Sequence, residues 1–182
     1  MVNTSKLKLT FLQESILRHL FIKAGKTFTA RALSIALGVS QPAISKALPN
    51  LEKENFVNVT KDKESKRLAI ELNRENILIM GMKRADNLEQ VYESGLYDFL
   101  FNEFPGCTII LFGSYSRGDD IFNSDIDLAI IGSKEKKVNL EKFEKILKKE
   151  VRINFYPSFK KIHKDLLTNI YNGIILVGSV EL

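Results

Sequence analysis

The 182-residue chain has one cysteine, no tryptophan, four prolines and two histidines. Cys107 alone closes no internal disulfide, and His19 and His163, one in each half with no second cysteine, make no zinc cluster. No apolar run approaches the roughly 18 residues needed to span a bilayer; the longest, such as 128–131 and 174–177, are strand-sized. The chain also lacks an opening of basic residues, long apolar stretch and small-residue cleavage site, so the expectation is a cytoplasmic protein that meets no membrane. What is there excludes global disorder: 45% of residues are hydrophobic and 27% charged, enough apolar surface to offset the entropy of ordering. The length suits two small domains of under about 100 residues each.

Charge separates the two halves. Residues 1–85 carry 15 Lys and Arg against 7 Asp and Glu, a net of +8, and residues 86–182 carry 12 against 15, a net of −3. A basic half invites a polyanion, and a solvated basic surface explains the same count.

In the basic half, Leu9, Leu12, Ile16, Leu17 and Leu20 recur at helical spacing and predict a helix over 7–22 that Gly25 follows. Thr29 caps a second helix bearing Ala32, Leu33, Ile35, Ala36 and Leu37, and Gly38 ends it. After a tight turn, Ser40 caps a third helix bearing Ile44, Leu48 and Leu51. Pro42 is harmless in its first turn, whereas Pro49 removes a donor and costs about 3 kcal/mol in a regular helix, which predicts a kink or a restart there. Val57 and Val59, a charged turn at 61–66, then Leu68, Ile70 and Leu72 read as a hairpin. The segment 75–84, with Ile77, Leu78, Met80 and Met82, predicts a helical connector with a weak point at Gly81.

A helix-turn-helix followed by a hairpin resembles the winged-helix domains of MarR- or ArsR-type regulators, over residues 7–73. The resemblance implies that Ser40, Gln41, Ala43, Ser45 and Lys46 face double-stranded DNA and that Lys61, Lys63, Lys66 and Arg67 of the wing meet phosphates. Short polar side chains and a glutamine reach base edges, while wing cations bind backbone charge and make affinity fall with salt. Winged helices also serve as dimerisation or protein-binding modules, so that role stays open. A winged helix commonly works as a dimer on paired half-sites, so a homodimer is expected.

In the acidic half, Leu88, Val91, Tyr92, Leu96, Phe99, Leu100 and Phe104 mark one amphipathic helix that stops at Pro105 and Gly106. The apolar strand 107–112 runs into Gly113 and Ser114, a short helix leads to Arg117, and a second strand opens on Asp125 and Asp127. Residues two apart on a strand share a face, so the two carboxylates converge while Ile126 and Leu128 face the core. Such a pair suits Mg²⁺ or Mn²⁺ held jointly with substrate phosphates. Gly113 lets a phosphate approach, and Ser114 offers it a hydroxyl. Arg117 and Ser124 complete the candidate nucleotide-binding set, with a solvated role for Arg117 equally open. Asp119 and Asp120 read as turn residues, and the basic run 145–149 as a solvated helix face.

A strand, Gly-Ser, ten residues and Asp-Ile-Asp resembles the signature of the nucleotidyltransferase superfamily that includes DNA polymerase beta, and within it the minimal nucleotidyltransferases, over residues 88–178. The resemblance implies metal on Asp125 and Asp127 and the triphosphate of ATP or another nucleoside triphosphate at Gly113 and Ser114. It also implies a third carboxylate on the next strand, 151–156, where Asn154 is the best match. An amide brings no charge and is no base, and Glu150 lies four residues earlier. Either transfer runs weakly, or the domain binds nucleotide without turnover.

These readings predict an α+β chain: a winged helix-turn-helix domain at 1–74, a helical connector at 75–86, and a nucleotidyltransferase-like mixed β-sheet flanked by helices at 87–182. The function expected is a DNA-binding regulator whose second domain binds a nucleoside triphosphate with Mg²⁺ and transfers a nucleoside monophosphate to a hydroxyl acceptor. The alternatives are a catalytically inactive nucleotide-sensing transcriptional regulator and an antitoxin-like protein, since minimal nucleotidyltransferases often pair with a small partner protein.

Overall fold

A computed structural model describes residues 8–61 and 67–180 of the chain, which divides into two compact units, Met1–Ile79 and Met80–Leu182. Among the described residues no helix is long and apolar enough to cross a membrane.

The first unit begins with helix α1 (Phe11–Ile22). It starts later than hydrophobic spacing suggests because Thr10 and Gln13 form a reciprocal capping box: the Gln13 amide nitrogen donates to the Thr10 hydroxyl and the Thr10 amide to the Gln13 side chain. That pairing satisfies two of the donors a helix start leaves open. Helix α2 (Ala30–Leu37) is capped by Thr29 and ends on Gly38 in the left-handed conformation. Helix α3 (Gln41–Lys53), capped by Ser40, packs on α2 and α1, and Gln13 donates to the Ala47 carbonyl at 3.2 Å.

Pro49 does not make α3 restart; the helix runs from Gln41 to Lys53 with the proline inside it. The position is exposed, as is Ser45, so water can take the Ser45 carbonyl that the missing amide leaves without a helical donor. Strands β1 (Val57–Lys61) and β2 (Leu68–Leu72) pair antiparallel, and β2 also exchanges two 2.8 Å hydrogen bonds with Phe28 through Ile70. Ile16, Leu17, Leu20, Leu33, Ile44, Leu51, Phe56 and Ile70 are buried.

Helix α4 (Ile77–Glu93) runs unbroken through Gly81, so the connector segment and the first part of the expected 88–104 helix are one element. The remainder is a separate helix, α5 (Leu96–Glu103). The break is at Gly95, whose φ of +76° is open to glycine at no steric cost.

In the second unit, β3 (Thr108–Phe112), α6 (Gly113–Arg117), β4 (Ile126–Ile131), α7 (Glu141–Leu147), β5 (Val151–Tyr156), α8 (Lys164–Tyr171) and β6 (Ile174–Val177) follow α5, with a 3₁₀ turn at Phe159–Lys161 before α8. The four strands form one mixed sheet in the order β5-β4-β3-β6. β3 is antiparallel to β4 and β6, while β4 and β5, joined through α7, are parallel. Alternation divides the sheet into two faces. Ile109, Leu111, Ile126, Leu128 and Ile130 pack with Val91, Leu96, Leu100, Tyr115, Phe143 and Leu147 of the helices, and Ile110, Phe112, Ala129 and Ile131 pack with Ile162 and Ile170.

Leu128 is fully buried on the first of these faces. Leu128→Ala removes that contact and leaves a cavity, so it is expected to destabilise the second unit by about 2–5 kcal/mol, measured as a lower midpoint of urea unfolding.

Candidate functional site

The candidate site lies on the second face of the sheet, where β4 begins. Asp125 directly precedes the strand and Asp127 is its second residue, while Ile126 and Leu128 between and beyond them are fully buried on the other side. Phe112 is the cross-strand partner of Asp127, which sets the following residue, Gly113, against the acid. A Cβ built on Gly113 would stand 2.5 Å from an Asp127 carboxylate oxygen, and its φ is +75°. Both facts reserve the position for glycine. Burial raises the Asp127 carboxyl above its ordinary range, the charge of Asp125 raises it further, and Arg152 pulls it back.

The residue across from Asp127 differs from the expectation. β4 and β5 pair in register, Asp127 with Arg152 and Ala129 with Asn154. Asn154 is therefore one same-face step further along the sheet, where its amide donates to the Leu128 carbonyl at 3.4 Å and it lines a cleft of about 450 Å³ with Ser133, Lys134 and Glu135. Arg152 takes the place beside the acids. Its Nη1 donates to Asp125 Oδ2 at 2.9 Å and its Nε to Glu150 Oε1 at 3.2 Å. Glu150 is thus engaged by the arginine, and among the described residues no group of three or more His, Cys, Asp or Glu side chains gathers to hold a metal. The donor set fits a hard divalent cation only when phosphate oxygens complete the coordination, since Mg²⁺ takes one or two carboxylates together with substrate oxygens.

The other expected nucleotide contacts have local work. Ser114 is half-buried at the start of α6. The Ser124 hydroxyl accepts from the Ile121 amide at 3.0 Å and closes the turn before Asp125. Arg117 is exposed and its Nε donates to Asp119 at 3.2 Å.

Asp120 and Lys149 depart further from the sequence reading. Asp120, expected as a turn residue, is buried and ion-paired with Lys83 of α4 and, at 3.1 Å, with Lys149, itself buried instead of solvated. Asn87 donates to Asp120 at 2.7 Å and to the Tyr115 carbonyl at 2.9 Å. Lys149 also donates to the carbonyls of Ile121 at 2.6 Å and Ser124 at 3.3 Å. The segment leading to Asp125 is therefore tied to the start of β5. Burial lowers the Lys83 pKa against the pull of Asp120, and burial raises that of Tyr115. The available signal was Lys83 and Lys149 flanking an acidic stretch, which sequence spacing does not bring together.

In the first unit, Ser40, Gln41, Ser45 and Lys46 are exposed at the N-terminal end of α3 and Ala43 is half-buried, opposite Ile44, Ala47 and Leu48 in the core. The Ser40 hydroxyl accepts from the Ala43 amide at 3.3 Å as the helix cap. Lys61 and Arg67 are exposed at the hairpin ends; Lys63 and Lys66 lie outside the described residues.

Comparison with known proteins agrees with this division. Residues 98–177 match the model of the nucleotidyltransferase domain and residues 9–68 that of the MarR family. The chain thus joins a MarR-type winged helix to a nucleotidyltransferase-type domain. No curated protein matches it. Solved structures similar to it include the adhesin competence repressor from Streptococcus pyogenes, at 28% identity over 54% of this chain and 70% of that one, with a TM-score of 0.41. A ZitR variant from Lactococcus lactis matches at 23% identity over 57% and 67%, with a TM-score of 0.40. The MepR–DNA complex of S. aureus matches at 21% over 52% and 77%, with a TM-score of 0.39.

Asp120→Ala leaves two buried ammonium groups without their carboxylate and is expected to cost about 3–5 kcal/mol, seen as a fall in the unfolding midpoint. Gly113→Ala should leave the sheet folded but displace Asp127, detected as shifts of the backbone amide resonances of 112–114 and 125–128.

Proposed function

We propose that this chain is a DNA-binding regulator whose second domain binds a nucleoside triphosphate, with a divalent cation shared between the phosphates and the carboxylates of Asp125 and Asp127, as a signal and not as a substrate. The observation that carries this reading is the Asp125 and Asp127 pair beside Gly113 with an arginine, Arg152, facing it. The glycine lets the Asp127 carboxylate lie against the backbone at the start of α6, and Ser114 stands next to it. The cation, when bound, would neutralise phosphate charge. Asp125 and Asp127 would hold it, and the missing Cβ of Gly113 leaves the Asp127 carboxylate the place it occupies.

Nothing in this cluster serves as the base for an attacking hydroxyl. Arg152 stays protonated and cannot accept a proton, and Glu150 is occupied by it. General-base assistance is worth about 10²–10⁴ in rate, so binding without turnover is the reading that the residues favour. Support for DNA as the partner of the first domain comes from the net charge of +6 over residues 1–79, from the exposed polar end of α3 and from the exposed Lys61 and Arg67. A homodimer would place two such helices on paired half-sites.

Equilibrium binding of a fluorescent ATP analogue with Mn²⁺ tests the second domain: wild type binds, Asp125→Ala and Asp127→Ala lose at least tenfold in affinity, and no acceptor is labelled by α-³²P ATP. Turnover by the wild type would overturn the sensing role. For the first domain, duplex affinity should fall linearly on a log–log plot against salt, and Lys61→Ala should reduce the slope by about 1; a salt-independent affinity would exclude phosphate recognition.

A further inference from the structure

Four charged side chains meet at the mouth of the sheet: Asp125, Asp127, Glu150 and Arg152. They sum to two negative charges, and a single guanidinium serves them. Its fork is already divided, with Nη1 on Asp125 at 2.9 Å and Nε on Glu150 at 3.2 Å, and its Cα is the register partner of Asp127. Parallel neighbours share a face, so the arginine stands on the side from which any cation reaches the pair. More than half of its side chain is exposed, as is that of Glu150, whereas the Asp125 side chain is about a quarter exposed. Exposed ion pairs are weak and screened by salt, so this contact is strong enough to occupy Asp125 and weak enough to be exchanged. A guanidinium also binds phosphate bidentately, as well as it binds carboxylate.

We propose that Arg152 is the built-in counter-cation of Asp125 and Asp127: it excludes free divalent cations from the pair and exchanges its carboxylate for a phosphate only when cation and nucleotide arrive together. This deepens the nucleotide reading above and rests on it for the second half of the exchange. A dication entering alone meets a positive charge 2.9 Å from one of its two ligands, and the neighbouring carboxylate, Glu150, is held by the same guanidinium at 3.2 Å. A dication entering on a triphosphate brings the anionic oxygens to which Arg152 can turn, so every charge stays compensated. Cation and nucleotide are then positively coupled, each tightening the other by the same factor.

The test uses the full chain as wild type, Arg152→Gln and Arg152→Lys, with thermal melts to verify folding. In the first arm Mn²⁺ is titrated without nucleotide and followed by the electron paramagnetic resonance of the free ion. Arg152→Gln is expected to bind at least tenfold more tightly than wild type, and Arg152→Lys, which keeps the charge, to exclude the ion as wild type does. Equal affinity of wild type and Arg152→Gln, or a lysine variant that behaves as the glutamine one, overturns the proposal. In the second arm a fluorescent ATP analogue is titrated with Mn²⁺ or with EDTA. Wild type should prefer the Mn²⁺ condition by at least tenfold, and Arg152→Gln should lose most of that preference; a preference unchanged in Arg152→Gln overturns the phosphate exchange. No analogue binding by either protein in either condition overturns the nucleotide reading instead, while the first arm still decides whether Arg152 guards the carboxylates.

Discussion

Two buried ammonium groups share one buried carboxylate in the second unit, and the placement of the acidic pair follows from that arrangement. Asp120 holds Lys83 from α4 and Lys149 from the foot of β5. Taking three charges out of water is expensive, and further partners on two of them offset the cost: Asn87 on Asp120, and the Ile121 and Ser124 carbonyls on Lys149. The same contacts that satisfy Lys149 fix the turn at 121–124. Asp125 is the next residue, and the Ile126 amide donates to the Glu150 carbonyl at 2.9 Å, so β4 starts at a set height against β5. A strand that starts at a set height presents Asp127 to Gly113 on one side and to Arg152 on the other.

Much of the architecture was legible in the residues, for reasons that are local. Thr29 and Gly38 bound α2 as caps, Ser40 opens α3, and Val57 to Val59 and Leu68 to Leu72 alternate as a hairpin must. The continuous apolarity of 109–112 and 128–131, separated by a glycine turn and a pair of acids, likewise announces two buried strands. Elements whose limits depend on tertiary contacts were less legible. The helix expected over 88–104 is divided at Gly95, a single left-handed residue inside an otherwise helical pattern, and its first part continues the connector through Gly81 into α4. Pro49 interrupts hydrogen bonding but not the helix, and both it and Ser45 are exposed, so the carbonyl that it leaves is open to water.

The site was half visible. A Gly-Ser turn and two acids two residues apart on a strand stand close in sequence, so their convergence follows from strand geometry alone. Whatever depends on the neighbouring strand requires its register, and register is not written in apolar alternation: Val151, Ile153 and Phe155 alternate with Arg152, Asn154 and Tyr156, so Arg152 and Asn154 share one face. Choosing between them needs the length of the crossover through α7 and the start of β5, both of which Lys149 helps to set. Lys149 was itself hidden, since a lysine at the end of a basic run resembles its exposed neighbours until its burial is seen.

β5 is an edge strand of the sheet, with β4 on one side only. A side chain there that projects into water carries none of the packing of the domain, yet Arg152 does so from directly beside the acids. The electrical character of the whole carboxylate pair is therefore adjustable through one residue to which the scaffold is mechanically indifferent. Neutral, basic or acidic chemistry at that place would each give a different ionic appetite on an unaltered frame.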